Sequence, residues 1–142
     1  MIDPNNVPAV ADNELLARFI LHSNETRSDG TVKPKLFLPY SLVELSVNRH
    51  REAASDETWQ VGRDVAAARG KTLYGISNIR ASSCRIETLN VAAKPILPSN
   101  PNHADIVGYP QKKEDQISLA TKLAAATEGN WVKAPSVPGD IG

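Results

Sequence analysis

The residues of this chain best suited to chemistry at neutral pH are two histidines set among charged and amide side chains. His50 stands inside Arg49-His50-Arg51, and His103 inside Asn100-Pro101-Asn102-His103-Ala104-Asp105. Histidine changes charge between pH 5 and 8, so two of them in one cleft would make a general acid and a general base. Asp105 would then orient His103, as a carboxylate holds a catalytic imidazole. Arg27, Lys33, Arg49 and Arg51 would bind an anion, the arginines gripping a phosphate or carboxylate through forked donors. Each residue also has a plainer role: His50 as part of a basic strand end, and His103 with Asp105 as ties that fix a loop by hydrogen bonds to its backbone.

Established motifs do not narrow the chemistry. The chain has no glycine-rich phosphate loop, no His-Glu-x-x-His zinc helix and no Gly-x-Ser-x-Gly elbow. Cys84 is the single cysteine, so no disulfide forms within the chain, and a lone thiol reads first as a small packed residue. Three scattered histidines, one thiol and assorted acids show no metal-ligand spacing. Neither a metal nor a cofactor is expected.

Composition sets further bounds. Sixteen basic residues balance sixteen acidic ones, which argues against a protein whose whole surface binds nucleic acid. The balance is uneven along the chain: residues 63–113 carry eight basic against three acidic side chains, net +5, between acidic ends. That segment could serve an anion, RNA included. No run approaches the roughly 18 apolar residues that span a bilayer, and the opening residues lack the pattern of a secretory signal, so no membrane partner and a cytoplasmic location are expected.

The elements that must position these residues can be read from periodicity and breakers. The 142 residues suit one domain. Proline and asparagine mark 1–10 as a polar tail, 11–128 as the ordered domain and 129–142 as a second tail, in which Trp131 is an anchor for this domain or for a partner. Asp12 is read as the cap of a first helix carrying Leu15, Leu16, Phe19 and Ile20, with His22 near its end. Asp29-Gly30 is a tight turn, and Lys35 to Leu38 a short strand stopped by Pro39. Leu42 to Arg51 alternates, with Val43, Leu45 and Val47 on one face and Glu44, Ser46, Asn48 and His50 on the other. Ser55 opens a helix that ends at Gly70. Strands follow near 72–81 and from Cys84 to Ala92, the latter with a phase switch that suggests a bulge. Pro95, Pro98 and Pro101 make an extended loop that holds Asn100 to Asp105, and Lys113 to Thr127 is a third helix burying Ile117, Ala120, Leu123 and Ala124. Without strict βαβ alternation, the expected fold class is α+β: a mainly antiparallel sheet of four to five strands with about three helices.

The segments 27–34 (RSDGTVKP), 45–50 (LSVNRH) and 100–106 (NPNHADI) resemble parts of a family of small bacterial proteins of unknown function, a likeness that would span about 14–127. The resemblance implies no activity, cofactor or catalytic residue. Two functional expectations follow. One is a binding or interaction protein, a subunit of a larger bacterial cytosolic assembly, using Trp131 toward a protein partner. The other is a small metal-independent enzyme acting on a phosphate ester or nucleotide, with His50 and His103 as its acid–base pair and the arginines as its anion clamp.

Overall fold

The fold is that of a computed structural model, which describes residues 2–39, 43–50 and 55–136. In chain order its elements are β1 (Leu15–Ile20), β2 (Glu44–Arg49), α1 (Ser55–Ala68), β3 (Gly75–Arg80), α2 (Ala81–Ile86), β4 (Asn90–Ala93), β5 (His103–Val107), α3 (Lys113–Ala125) and β6 (Val132–Lys133). The strands form one antiparallel sheet in the order β4-β5-β2-β1-β3-β6, giving an α+β fold with six strands and three α-helices among the described residues.

Side-chain alternation divides this sheet into two unlike faces. Leu16, Ile20, Leu45, Val47, Ile79, Ala104 and Ile106 join the main core, to which α3 adds Ala120, Leu123 and Ala124. On the other face a smaller cluster of Ala17, Trp59 and Ile76, with Phe19 and Leu73 against it, lies beneath α1. Gly62 lets α1 settle, since a Cβ there would meet Phe19 and Leu73 at 2.9 Å.

Several expectations about elements are corrected. Residues 15–20 form a strand, because a central strand buried on both faces carries a near-continuous apolar run that also fits helical spacing. Asp12 caps no helix and instead accepts from Arg85 at 2.6 Å. Pro34–Phe37 is a 3-10 turn; Pro34 presets its backbone, and Leu36 and Phe37 are both fully buried, which an alternating strand against one core would not allow. The phase switch after Cys84 is the change from α2 to β4, made through Thr88 at φ +68°. His103 and Asp105 lie on a strand, β5, and Ile117 is exposed while Gln116 takes the buried position on α3. The turn at Asp29-Gly30, the strand through Val47, the Ser55 helix and the α3 helix form as expected, within a residue or two.

Both ends of the described chain pack. Ile2 is buried and its backbone N–H donates to Asn102 Oδ1 at 3.1 Å, so residues 2–10 are not the loose tail their composition suggests. At the other end, Trp131 packs against the main core, its N–H donates to the Gly30 carbonyl at 3.1 Å, and β6 continues the sheet beside β3. This docking explains Gly75: a Cβ there would collide with the Val132 carbonyl oxygen and lie 2.8 Å from the Trp131 ring. Gly75→Ala is therefore expected to push β6 off the edge at a cost of about 1–3 kcal/mol. A lower urea midpoint with a red-shifted tryptophan emission is the expected result; unchanged values for both would mean that this edge contributes nothing.

Candidate functional site

Strand pairing decides which of the sequence-selected residues can meet. Asn48 pairs with His103 and Ser46 with Asp105, so the side chains of Ser46, Asn48, His50, His103 and Asp105 all project from the face that carries α1. Strands β1 and β2 pair only at Leu16–Arg49 and Ala17–Asn48, then diverge. Arg18 reaches into this opening, donating from Nε to the Leu36 carbonyl at 2.9 Å and from Nη1 to the Ser46 carbonyl at 3.0 Å.

A cleft of about 330 Å³ lies above the divergence. Its floor is Phe19, Ser46 and Asn48, one wall is Val61, Val65 and Ala68 of α1, and the other is Ile96 and Asn100 of the proline loop. His103 closes the polar end. There Asn100 Nδ2 donates to Asn48 Oδ1 at 2.9 Å and Asn100 Oδ1 accepts from the Asn102 N–H at 3.2 Å, so the loop is tied to the floor by amides. The size suits a small molecule, and mostly apolar walls with a few convergent polar groups are the usual make-up of a ligand site.

His103 is oriented by backbone. Its Nδ1 lies 2.8 Å from the Lys94 carbonyl oxygen, which can only accept, so Nδ1 carries the proton. Asp105 Oδ1 is 3.6 Å from Nε2, on the other side of the ring from the position that an orienting carboxylate occupies in a catalytic triad. His50 shares the face but not the cleft: it borders a shallow hollow with Asn13, Glu14 and Leu15, and its Nε2 is 2.7 Å from Asn78 Oδ1.

The expected anion clamp is dispersed. Arg49 points into the main-core side and is fully buried, with Nε and Nη2 each 2.8 Å from Glu14 carboxylate oxygens and further bonds to the Pro8 and Ala9 carbonyls. Arg27 braces the tight turn, donating to Thr31 Oγ1 and to the Val32 carbonyl at 2.9 Å. Asp29 of that turn is held below the usual carboxylate range, chiefly by the Thr31 hydroxyl at 2.6 Å and then by the Thr31 N–H. This turn borders Thr121 and Ala124, on the α3 side of the sheet. Lys33 gives its backbone N–H to the Glu25 carbonyl, and Arg51 lies outside the described residues. Among the described residues no three histidine, cysteine or acidic side chains gather as metal ligands, and no helix is long and apolar enough to cross a membrane.

Sequence reasoning missed Phe19, Asn48 and the α1 wall. The wall left a signal: Val61, Val65 and Ala68 recur at helical spacing beside the Trp59 and Ala66 stripe, more apolar surface than one buried face needs. Compared with known proteins, the chain matches no family model, no curated protein and no solved structure.

Proposed function

We propose that this chain is a binding protein whose working site is the cleft between α1, the diverging strands β1 and β2, and the proline loop, and that its ligand is a small molecule with a largely apolar body. The observation that carries this reading is the cleft itself: apolar side chains on three sides, and His103, Asn48 and Asn100 held in place at one end. The walls come from separate parts of the chain, so the pocket exists only in the folded state, and a ligand bound there raises the stability of that state.

Three features weigh against the phosphate-ester enzyme. Arg49 is committed to Glu14, Arg27 lies on the α3 side, and His50 opens onto a different hollow from His103. The assembly-subunit reading loses Trp131 as an anchor for a partner, since Trp131 packs within its own chain.

A thermal-shift panel of nucleotides, sugar phosphates, short RNA and small aromatic or aliphatic compounds tests the proposal. A compound of the apolar class at 100 times its Kd is expected to add about 2.7 kcal/mol. Ala68→Trp, at an exposed wall position, is expected to abolish that shift without lowering the unliganded Tm. A shift confined to nucleotides, sugar phosphates or RNA, or one that survives Ala68→Trp, would overturn it.

A further inference from the structure

We infer that the cleft takes a monocarboxylate on an apolar body, with the carboxylate held at the Arg69 end. The inference rests on the reading of the cleft as a small-molecule site, and adds the ligand's charge and its direction. Direction follows from packing. Trp59 clusters with Ala17, and Gly62 faces Phe19 and Leu73, so α1 advances along β1 and brings Arg69 to the Leu21 end of the cleft. His103 pairs with Asn48, and Asn48 with Ala17, which puts imidazole and amides at the opposite end. There Asn100 donates to Asn48 and His103 Nδ1 to the Lys94 carbonyl, while Asp105 lies outside the lining.

The fixed charges of the lining are Arg18, Arg69 and Asp64, two cations against one anion. Asp64 accepts from Gln60 Nε2 at 2.9 Å, one turn back on the exposed side of α1. Arg18 donates to the Leu36 and Ser46 carbonyls, which are neutral, so its charge stays in the floor. Arg69 makes no side-chain hydrogen bond or ion pair among the described residues, and its fork of donors matches a carboxylate. A helix C-terminus disfavours an anion through its free carbonyls. Here the Val65, Ala66 and Ala67 carbonyls accept from the N–H groups of Arg69, Gly70 and Lys71, which closes that end. One negative charge matches the lining, whereas a phosphate dianion exceeds it and faces Asp64. The apolar body then runs from Arg69 along Val65, Val61 and Phe19 toward the amides.

The test is calorimetric titration of the full chain at pH 7.5 with phenylbutyrate, phenylbutanol, phenylbutylamine and phenylbutyl phosphate, which share one apolar body. The carboxylate is expected to bind about tenfold more tightly than the amine, with the alcohol between them. That gap should narrow in about 0.5 M salt, because Arg69 is exposed. Arg69→Gln is expected to weaken the carboxylate about fivefold and to leave the alcohol within about twofold. Should that variant not fold, the four-ligand comparison on the unaltered chain decides. Equal or tighter binding of the amine or the phosphate, or carboxylate affinity unchanged by Arg69→Gln, overturns the carboxylate inference while leaving the cleft reading in place. No binding by any of the four overturns both.

Discussion

Replacing Glu14 by alanine is expected to destabilise the protein by about 3–5 kcal/mol, because it strands the Arg49 charge inside the main core. Arg49 is fully buried and pairs in register with Leu16 in the middle of the sheet. Its guanidinium is tolerated there through the bidentate bond to Glu14, with both contacts at 2.8 Å, and the Pro8 and Ala9 carbonyls take remaining donors. Glu14 Oε2 also accepts from the Ala11 N–H at 2.8 Å, so the pair ties the N-terminal segment to the sheet. Against a usual domain stability of about 5–15 kcal/mol the loss is large, and the Tm should fall by on the order of 10 °C. Replacing both partners by apolar residues, as in Glu14→Leu with Arg49→Met, should recover most of it, since the cost of an unpaired buried charge exceeds the net worth of the pair. Urea unfolding of the three forms measures both effects. A loss below about 1 kcal/mol for Glu14→Ala would mean that water reaches the guanidinium and that the site is not a buried pair.

This ion pair also shows where the sequence could be read and where it could not. The strand through Leu45 and Val47 was legible, because alternation survives when one face is core. The same alternation put Arg49 on the core face, a place arginine almost never occupies unless paired. Its partner lies 35 residues away, and nothing local announces that distance. The basic flanks of His50 were therefore read as a clamp although one of them is structural. Residues 15–20 failed for a different reason: Leu15, Leu16, Phe19 and Ile20 satisfy helical spacing, and only the pairing with β2 and β3 along both edges, with the main core on one face and the α1 cluster on the other, shows a central strand.

The site was half legible. His103 and Asp105 were selected on chemical type; His103 does line the cleft and Asp105 lies beside it, but the group that orients the ring is a backbone carbonyl, that of Lys94, which no side-chain pattern marks. The proline loop was legible as an extended cover, whereas its role as a wall depends on Asn100 meeting Asn48 across 52 residues. Periodicity reports which way a side chain faces within its own element. Which elements face each other is a property of the assembled sheet.

Stability is expected to fall steeply above about pH 9, and Cys84 is the reason that can be isolated. Cys84 is fully buried in the main core, and loss of water pushes its thiol from 9.0 up to about 12, with Arg85 opposing only in part. Tyr109 is buried beside it; burial, and then the charge of a Cys84 thiolate, raise its phenol above the ordinary value, while its hydroxyl donates to the Phe37 carbonyl at 2.7 Å. In both groups the folded state keeps a proton that the unfolded chain has released. The native state therefore binds more protons, and stability declines with rising pH. The thiol contribution is fully present below about pH 9 and is lost as pH rises toward 12. Each group contributes a slope of about 1.4 kcal/mol per pH unit within its window, and the phenol joins above about pH 10. Urea midpoints should be level from pH 7 to 8.5 and drop beyond that. Cys84→Ala removes one of the two slopes, so its stability relative to the parent should improve steadily from pH 9 to 11, whatever its starting deficit. A thiol reagent at pH 8 should label Cys84 in urea and leave the native protein untouched. Parallel pH curves for the parent and the variant, or native labelling at the unfolded rate, would place the thiol in contact with water and remove the basis for the alkaline transition.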